Sequence, residues 1–261
     1  MGRINTIVYG GYENNPIVKY CGEQVKKAGY DMNYIQLKDL PIEKCNHSKM
    51  VMERLGTTSY IGDQLRLYLG MTENDFFYCD ADCALYKPEL IKPNTVAVDG
   101  DLENGKPRIN EGAFFRDCKE WCEYYFNIYQ ENAEKLIYWK DGTALVNYRV
   151  REEFPYKGEL NLVRSDGLPH TLCRHFFLSQ FDRFKNICED RNTIYYTLDN
   201  TFRPSKMEKI YWQLNDCVNE VGSFANIRWF FNCYGSQEMV ELWKEQIRFT
   251  LGKVWINFVE I

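Results

Sequence analysis

The chain has no apolar run approaching the roughly 20 residues that cross a bilayer, so no membrane-spanning helix is expected. Its opening stretch, MGRINTIVYGGYENNP, lacks the basic start and long apolar segment of a signal peptide, which points to a cytoplasmic protein. Positive charge is not in excess: the formal net charge is -5 and the sequence pI about 5.4, so a broad basic surface for nucleic acid is not expected. A local basic pocket for a phosphorylated ligand stays compatible with that balance. No C-x-x-C occurs among the ten cysteines, and no second pair with histidine follows Cys118 and Cys122 at zinc-site spacing. Reduced, mostly buried thiols are therefore expected. There is no internal repeat, low-complexity tract or linker, which favours one large domain over residues 1–261. In contrast, aromatic residues are plentiful, with 19 Tyr and 16 Phe, and an aromatic-rich core and pocket follow.

Hydrophobic periodicity predicts an α/β fold. Ile4 to Tyr9 reads as a strand ending in Gly10 and Gly11, which suit a phosphate loop or a plain turn but are no Gly-x-Gly-x-x-Gly fingerprint. Apolar residues recur at helical spacing from Pro16 to Ala28, with Gly29 as the stop, and Asp31 to Leu37 alternates like a second strand. This order suggests a right-handed parallel unit. Leu40 to Thr58 is expected to be irregular, with His47 a solvated loop histidine, and Ser59 to Leu69 to be a helix.

The stretch from Asp63 to Pro88 organises the rest. On its helix, Asp63 and Arg66 stand three apart and are surface neighbours, a plain ion pair or an acid and a base presented to a sugar phosphate. Asp75 to Cys79 reads as an apolar strand that closes in Asp80 and Asp82. If strand geometry persists, these two carboxylates share a face. Like charges so close call for a cation, economically a divalent metal. Their place, outside the carboxyl end of a strand, is where open α/β sheets bind ligands.

Further along, Thr95 to Val98 is a strand candidate, and Asp99-Gly100-Asp101 after it reads as a turn-rich loop. Asn110 and Glu111 suit a sugar hydroxyl or a turn cap. Asp117 with Glu120 predicts a capping box for a helix from Cys118 to Ala133. A hairpin is expected about Asp141-Gly142 between Lys135 and Tyr148, and a loop from Gly158 to Pro169. His170 and His175, five apart, fit one helical face poorly; one of them, His170 first, is a candidate to complete a metal shell, a solvated or structural role being the alternative for each. A strand at Thr193 to Leu198, a helix from Ser205 to Val221, a strand from Phe224 to Cys233, a helix from Ser236 to Leu251 and a strand from Val254 to Val259 complete the reading.

Together these residues resemble the DxD sugar transferases of the nucleotide-sugar-binding GT-A fold. The nearest pattern is a helix bearing S-D-x-x-R-[YI] followed by G-G-x-Y-x-D-x-D, found in yeast mannosyltransferase-like proteins and the glucosylating domains of clostridial toxins. This chain reads G-D-Q-L-R-L-Y-L-G from Gly62 to Gly70, then F-F-Y-C-D-A-D from Phe76 to Asp82. Val8-Tyr9-Gly10-Gly11 stands where that family begins its nucleotide site, and Asn110 to Phe115 resembles its N-x-G-x-F segment. Gly62 replaces the usual serine, and Met71 to Asp75 replaces the paired glycines.

The resemblance implies a Rossmann-like, mostly parallel mixed sheet flanked by helices, with further helices and strands toward the C-terminus. About 1–120 would form the nucleotide-sugar half and about 121–261 the acceptor side. It implies a hexosyltransferase that moves a sugar from a UDP-sugar to a glycan or other hydroxyl acceptor, with retention. Asp82 would bind Mn2+ or Mg2+ directly, Asp80 would contact the ribose or sugar and bind the ion through water, Asp63 and Arg66 would hold donor sugar and phosphate, and Tyr9 would stack on the base. Two other readings compete. A haloacid-dehalogenase-like phosphatase or phosphotransferase also carries D-x-D after a strand, but with Thr or Val where Ala84 stands. A non-catalytic carbohydrate- or protein-binding module would leave both aspartates solvated.

Overall fold

The computed structural model describes residues 2–55, 60–99, 108–110, 112–137, 147–164 and 173–175, with positions 242 and 245. The strands are β1 Gly2–Val8, β2 Tyr30–Gln36, β3 Phe77–Tyr78, β4 Cys83–Leu85, β5 Thr95–Asp99, β6 Arg108–Ile109, β7 Phe115–Arg116, β8 Asn161–Arg164 and β9 Cys173–His175. The helices are α1 Pro16–Lys27, α2 Asn46–Leu55, α3 Ile61–Thr72, α4 Lys119–Glu131, α5 Ala133–Ile137 and α6 Asn147–Glu153. The chain divides into two compact units, Met1–Asn14 with Val18–His175, and Asn15–Ile17 with Phe176–Ile261. The strands all belong to the first unit. The elements expected between Thr193 and Val259 lie outside the described residues.

The architecture is α/β. A mixed sheet runs in the order β2-β1-β3-β7-β5-β6, with β8 also on β5. β1 pairs in parallel with β2 and β3, and β5 with β8, whereas β6 and β7 run against their neighbours. Five of the seven strands therefore point one way. The opening β1-α1-β2 unit follows its sequence pattern. The Asn15 side chain accepts the Ile17 N–H at 3.0 Å, and Gly29, at φ +85°, ends the helix where an L-residue would be strained.

β6 and β7 act as one interrupted strand along β5. Val96 faces Phe115, so an unbroken ladder would put Ala113 opposite Val98; Ile109 is there instead, and four residues are looped out. The loop is tied down at both ends, by the Asn110 N–H to the Ala97 carbonyl at 2.8 Å and the Ala97 N–H to the Phe114 carbonyl at 3.0 Å.

Strand alternation divides β3 between two cores. Phe76 and Tyr78 enter a cluster with Leu65 and Leu69 of α3 and Trp121, Cys122 and Tyr125 of α4, while Phe77 and Cys79 join Ile4 and Val25. Gly70 lets α3 approach α4, for a Cβ there would stand 2.5 Å from Cys122 Sγ. Arg151 of α6 lays its guanidinium 3.6 Å from the Tyr125 ring centroid, and the Tyr125 hydroxyl donates to the Phe154 carbonyl at 2.9 Å.

Several sequence expectations are corrected. The stretch from Leu40 to Thr58 holds helix α2, whose second and third N–H groups, from His47 at 2.9 Å and Ser48 at 3.3 Å, are accepted by Gln64 Oε1. That cap lies 17 residues away, so no local signal announces it. His47 is fully buried against Tyr129, not solvated. The Asp117–Glu120 capping box does not form: Cys118 is the N-cap without a side-chain bond, and Asp117 adopts φ +48° on leaving β7. The hairpin expected from Lys135 to Tyr148 is replaced by α5 and α6 at its two ends, with Asp141 and Gly142 outside the described residues. The loop expected from Gly158 contains β8, parallel to β5. Among the described residues no helix is long and apolar enough to cross a membrane.

Candidate functional site

The site lies at the carboxyl ends of β1 and β3, which run side by side with Asn5 opposite Tyr78. Beyond β1 the chain turns through Gly10 at φ +56° and Gly11 at φ +80°, conformations that glycine adopts without steric cost. This reversal places Tyr9 and Tyr12 in a stacked pair, with ring centroids 5.2 Å apart and planes 16° from parallel.

Beyond β3 stands Asp80. Its Oδ1 accepts a hydrogen bond from the Tyr78 hydroxyl at 2.6 Å and another from Arg66 Nη1 at 3.0 Å. The other terminal nitrogen of Arg66 donates to Asp63 Oδ1. Arg66 thus spans two carboxylates with its planar fork, which Lys could not reproduce. Asp63 sits in the first turn of α3, where the helix dipole favours an anion, and Arg66 follows three residues on along the same face. Asp63 and Arg66 are 3% and 5% exposed, so theirs is a buried ion pair, not a surface one. The Asp80 side chain is 29% exposed, the route by which this buried network meets solvent. Burial first, and then the Asp80 charge, hold the Tyr78 phenol well above its usual range, so it remains a donor.

Asp80 and Asp82 are not two positions of one strand. The β3 ladder ends at Tyr78, and Ala81 and Asp82 form a turn closed by the Cys83 N–H on the Asp80 carbonyl at 3.0 Å. The alternation argument for a shared face therefore does not apply; a turn keeps the two residues together instead. Asp82 is 7% exposed. The chain continues directly into β4, which pairs antiparallel with β9 so that His175 stands opposite Cys83 in register, one residue beyond Asp82.

The looped-out segment between β6 and β7 reaches the same place. Its Gly112 carbonyl accepts the Asp80 N–H at 2.8 Å. A Cβ on Gly112 would lie 2.6 Å from Asp80 Oδ2 and 3.2 Å from Arg66 Nη1, so only glycine fits undisturbed. Asn110 shapes this loop: its Oδ1 accepts the Ala113 N–H at 3.2 Å. Glu111 and His170 lie outside the described residues.

The structure thus gathers Asp63, Arg66, Asp80 and Asp82 around one turn, with Tyr9, Gly10 and Gly11 ending the adjacent strand. The sequence patterns contain Tyr78 and Gly112, as the tyrosine of G-G-x-Y-x-D-x-D and the glycine of N-x-G-x-F, but gave neither a role. Tyr78 carried a signal, since it stands two before Asp80 at the end of a strand. The tight fit of Gly112 depends on the loop's path and carried no signal beyond its N-x-G setting.

Among the described residues no group of three or more His, Cys, Asp or Glu side chains is placed to hold a metal. The donors at the turn are carboxylate oxygens, which suit a hard cation such as Mg2+ or Mn2+ that takes one or two carboxylates and completes its shell with phosphate and water.

No protein-family model matches the chain, and no curated protein matches it. Among solved structures it is similar to an active-site mutant of LgtC, at 13% identity and a TM-score of 0.41, over 63% of this chain and 72% of that one. It is also similar to the apo-form glycosyltransferase GlyE of Streptococcus pneumoniae TIGR4, at 12% identity and a TM-score of 0.37, over 63% of this chain and 45% of GlyE. A glycosyltransferase involved in glycosylation of the major capsid of PBCV-1 is similar at 16% identity and a TM-score of 0.31, over 69% of this chain and 98% of that one.

Proposed function

We propose that this protein is a metal-dependent glycosyltransferase that moves a sugar from a nucleotide-sugar donor, a UDP-sugar, to a glycan or other hydroxyl acceptor with retention. The observation that carries this reading is the buried Asp63–Arg66 pair joined to the part-exposed Asp80 at the carboxyl end of β3, with Asp82 one turn further. Burying Asp63 and Arg66 costs desolvation that a plain surface module has no reason to bear. The residue pattern from Gly62 to Asp82, which resembles the DxD transferases, supports the same conclusion.

The resemblance to the DxD transferases supplies the metal role: Asp82 would hold Mn2+ or Mg2+ directly, beside Asp80, whose Oδ1 accepts from Tyr78 and Arg66. When bound, the ion supplies Lewis-acid stabilisation of the charge on the departing diphosphate. Asp80 offers an anionic acceptor, fixed in direction, to ribose or sugar hydroxyls. Asp63 and Arg66 hold that acceptor in place; the guanidinium of Arg66 faces carboxylates on two sides. The Tyr9–Tyr12 stack is the platform for the base. Two donors on Asp80 Oδ1 stabilise its charge and blunt it as a nucleophile, which speaks against a phosphatase that attacks through this residue.

A thermal-shift panel of nucleoside diphosphates and their sugars, with and without Mn2+, tests the proposal. A ligand at about 100 times its Kd adds about 2.7 kcal/mol to stability. At about 2–4 °C per kcal/mol, a shift of roughly 5–10 °C is expected for UDP or a UDP-sugar in the presence of Mn2+. No shift with any nucleotide would overturn the reading.

A further inference from the structure

We propose that Tyr78 and Gly112 are positioning residues that set the direction of the Asp80 carboxylate for donor binding. This rests on the transferase reading above and adds to it the means by which the acceptor oxygen is aimed. Three contacts from three different elements converge on Asp80. The Tyr78 hydroxyl donates to Oδ1 at 2.6 Å from the end of β3, and Arg66 Nη1 donates to the same oxygen at 3.0 Å from α3. From the loop between β6 and β7, the Gly112 carbonyl accepts the Asp80 N–H at 2.8 Å, and its bare Cα leaves the space beside Oδ2.

Two donors on one oxygen hold the carboxylate by one edge and turn Oδ2 toward the Gly112 side. Tyr78 is 2% exposed and its ring packs in the core among Phe76 and Phe115, so the hydroxyl has no room to swing to another partner. The geometry gives a contact to two positions of the quoted patterns that had no role: the tyrosine two before the first aspartate and the glycine of the N-x-G-x-F segment.

The test is the affinity of UDP with Mn2+, measured by calorimetry on the full chain. Tyr78→Phe removes one oxygen and keeps the ring, so the variant is expected to fold and to bind UDP roughly 10- to 100-fold more weakly, the range for loss of a hydrogen bond to a charged group. In an Asp80→Ala background the same substitution is expected to change affinity no further, because its partner is gone. A purely structural tyrosine would instead give effects that add. Gly112→Ala, which leaves Tyr78 in place and crowds Oδ2, is expected to weaken UDP binding in the same direction. The proposal is overturned if Tyr78→Phe or Gly112→Ala binds UDP like the wild type, or if the Tyr78 effect survives in full without Asp80. If wild type itself binds no UDP with Mn2+, the transferase reading falls, and this inference with it.

Discussion

His47 makes stability depend on acid in a way that can be calculated. It occupies the first turn of α2, fully buried, with its ring centroid 4.7 Å from that of Tyr129. Among the described residues neither ring nitrogen has a hydrogen-bond partner. Desolvation therefore lowers its pKa from 6.5 to about 4. Because the folded-state value is the lower one, the unfolded chain takes up a proton first as pH falls. Stability from this residue is complete above pH 6.5, declines between 6.5 and about 4, and levels off below. At about 1.36 kcal/mol per unit the full loss is about 3 kcal/mol, of which about 2.5 kcal/mol is gone near pH 4.5. The perturbation is His47→Leu, and the assay is urea unfolding at about pH 7.5 and about pH 4.5 for both proteins. Carboxylates make both lose stability in acid, so the difference between the two losses is the readout. The wild type is expected to lose about 2.5 kcal/mol more than the variant over that interval. Parallel losses would refute the reasoning, whatever the variant's stability at neutral pH.

Other expectations follow from single contacts. Arg66→Leu leaves Asp63 buried without its cation and should cost about 3–5 kcal/mol by urea unfolding; an unchanged midpoint would contradict the buried pair. Gly70→Ala places a Cβ 2.5 Å from Cys122 Sγ and 2.9 Å from Phe115 Cε2, where neither neighbour can swing clear. It should cost about 1–3 kcal/mol. Gly62→Ala, in the same helix and with nothing within 4 Å of the new Cβ, should be neutral or stabilising by up to about 1 kcal/mol. Burial pushes the Cys45 and Cys118 thiols up to about 12, so iodoacetamide should spare both in the native protein and label them after denaturation.

How much of this was legible depended on whether the cause was local. β1, α1, β2 and β5 announce themselves through apolar spacing, a Pro start and a Gly stop, and the structure places them within a residue or two of the expected bounds. α2 does not, because Gln64 of the next helix supplies its cap. β8 is only four residues long and is held by its partner β5, so it has no room to show a period. Asp141-Gly142 has turn chemistry, but it lies outside the described residues; the outer ends of the expected hairpin are helices α5 and α6. The site divides in the same manner. Asp63, Arg66, Asp80 and Asp82 stand out as residue types at meaningful spacings. That Arg66 reaches Asp80, that a turn and not a strand joins Asp80 to Asp82, and that Gly112 lies against Asp80 all depend on tertiary pairing. The four-residue offset between β6 and β7 along β5 is what brings that glycine to the aspartate, and nothing in the local sequence states an offset.

The central claim is that Asp82 holds a divalent cation for a nucleotide-sugar reaction. It is tested most directly by turnover of a panel of nucleotide sugars by the full chain, wild type against Asp82→Asn, with Mn2+ and with chelator. Release of UDP from at least one UDP-sugar by the wild type, only with Mn2+, and a fall of roughly 100-fold or more in Asp82→Asn is the predicted result, about 2.7 kcal/mol or more of barrier. Full activity in Asp82→Asn, or no turnover of any nucleotide sugar by the wild type, would contradict it.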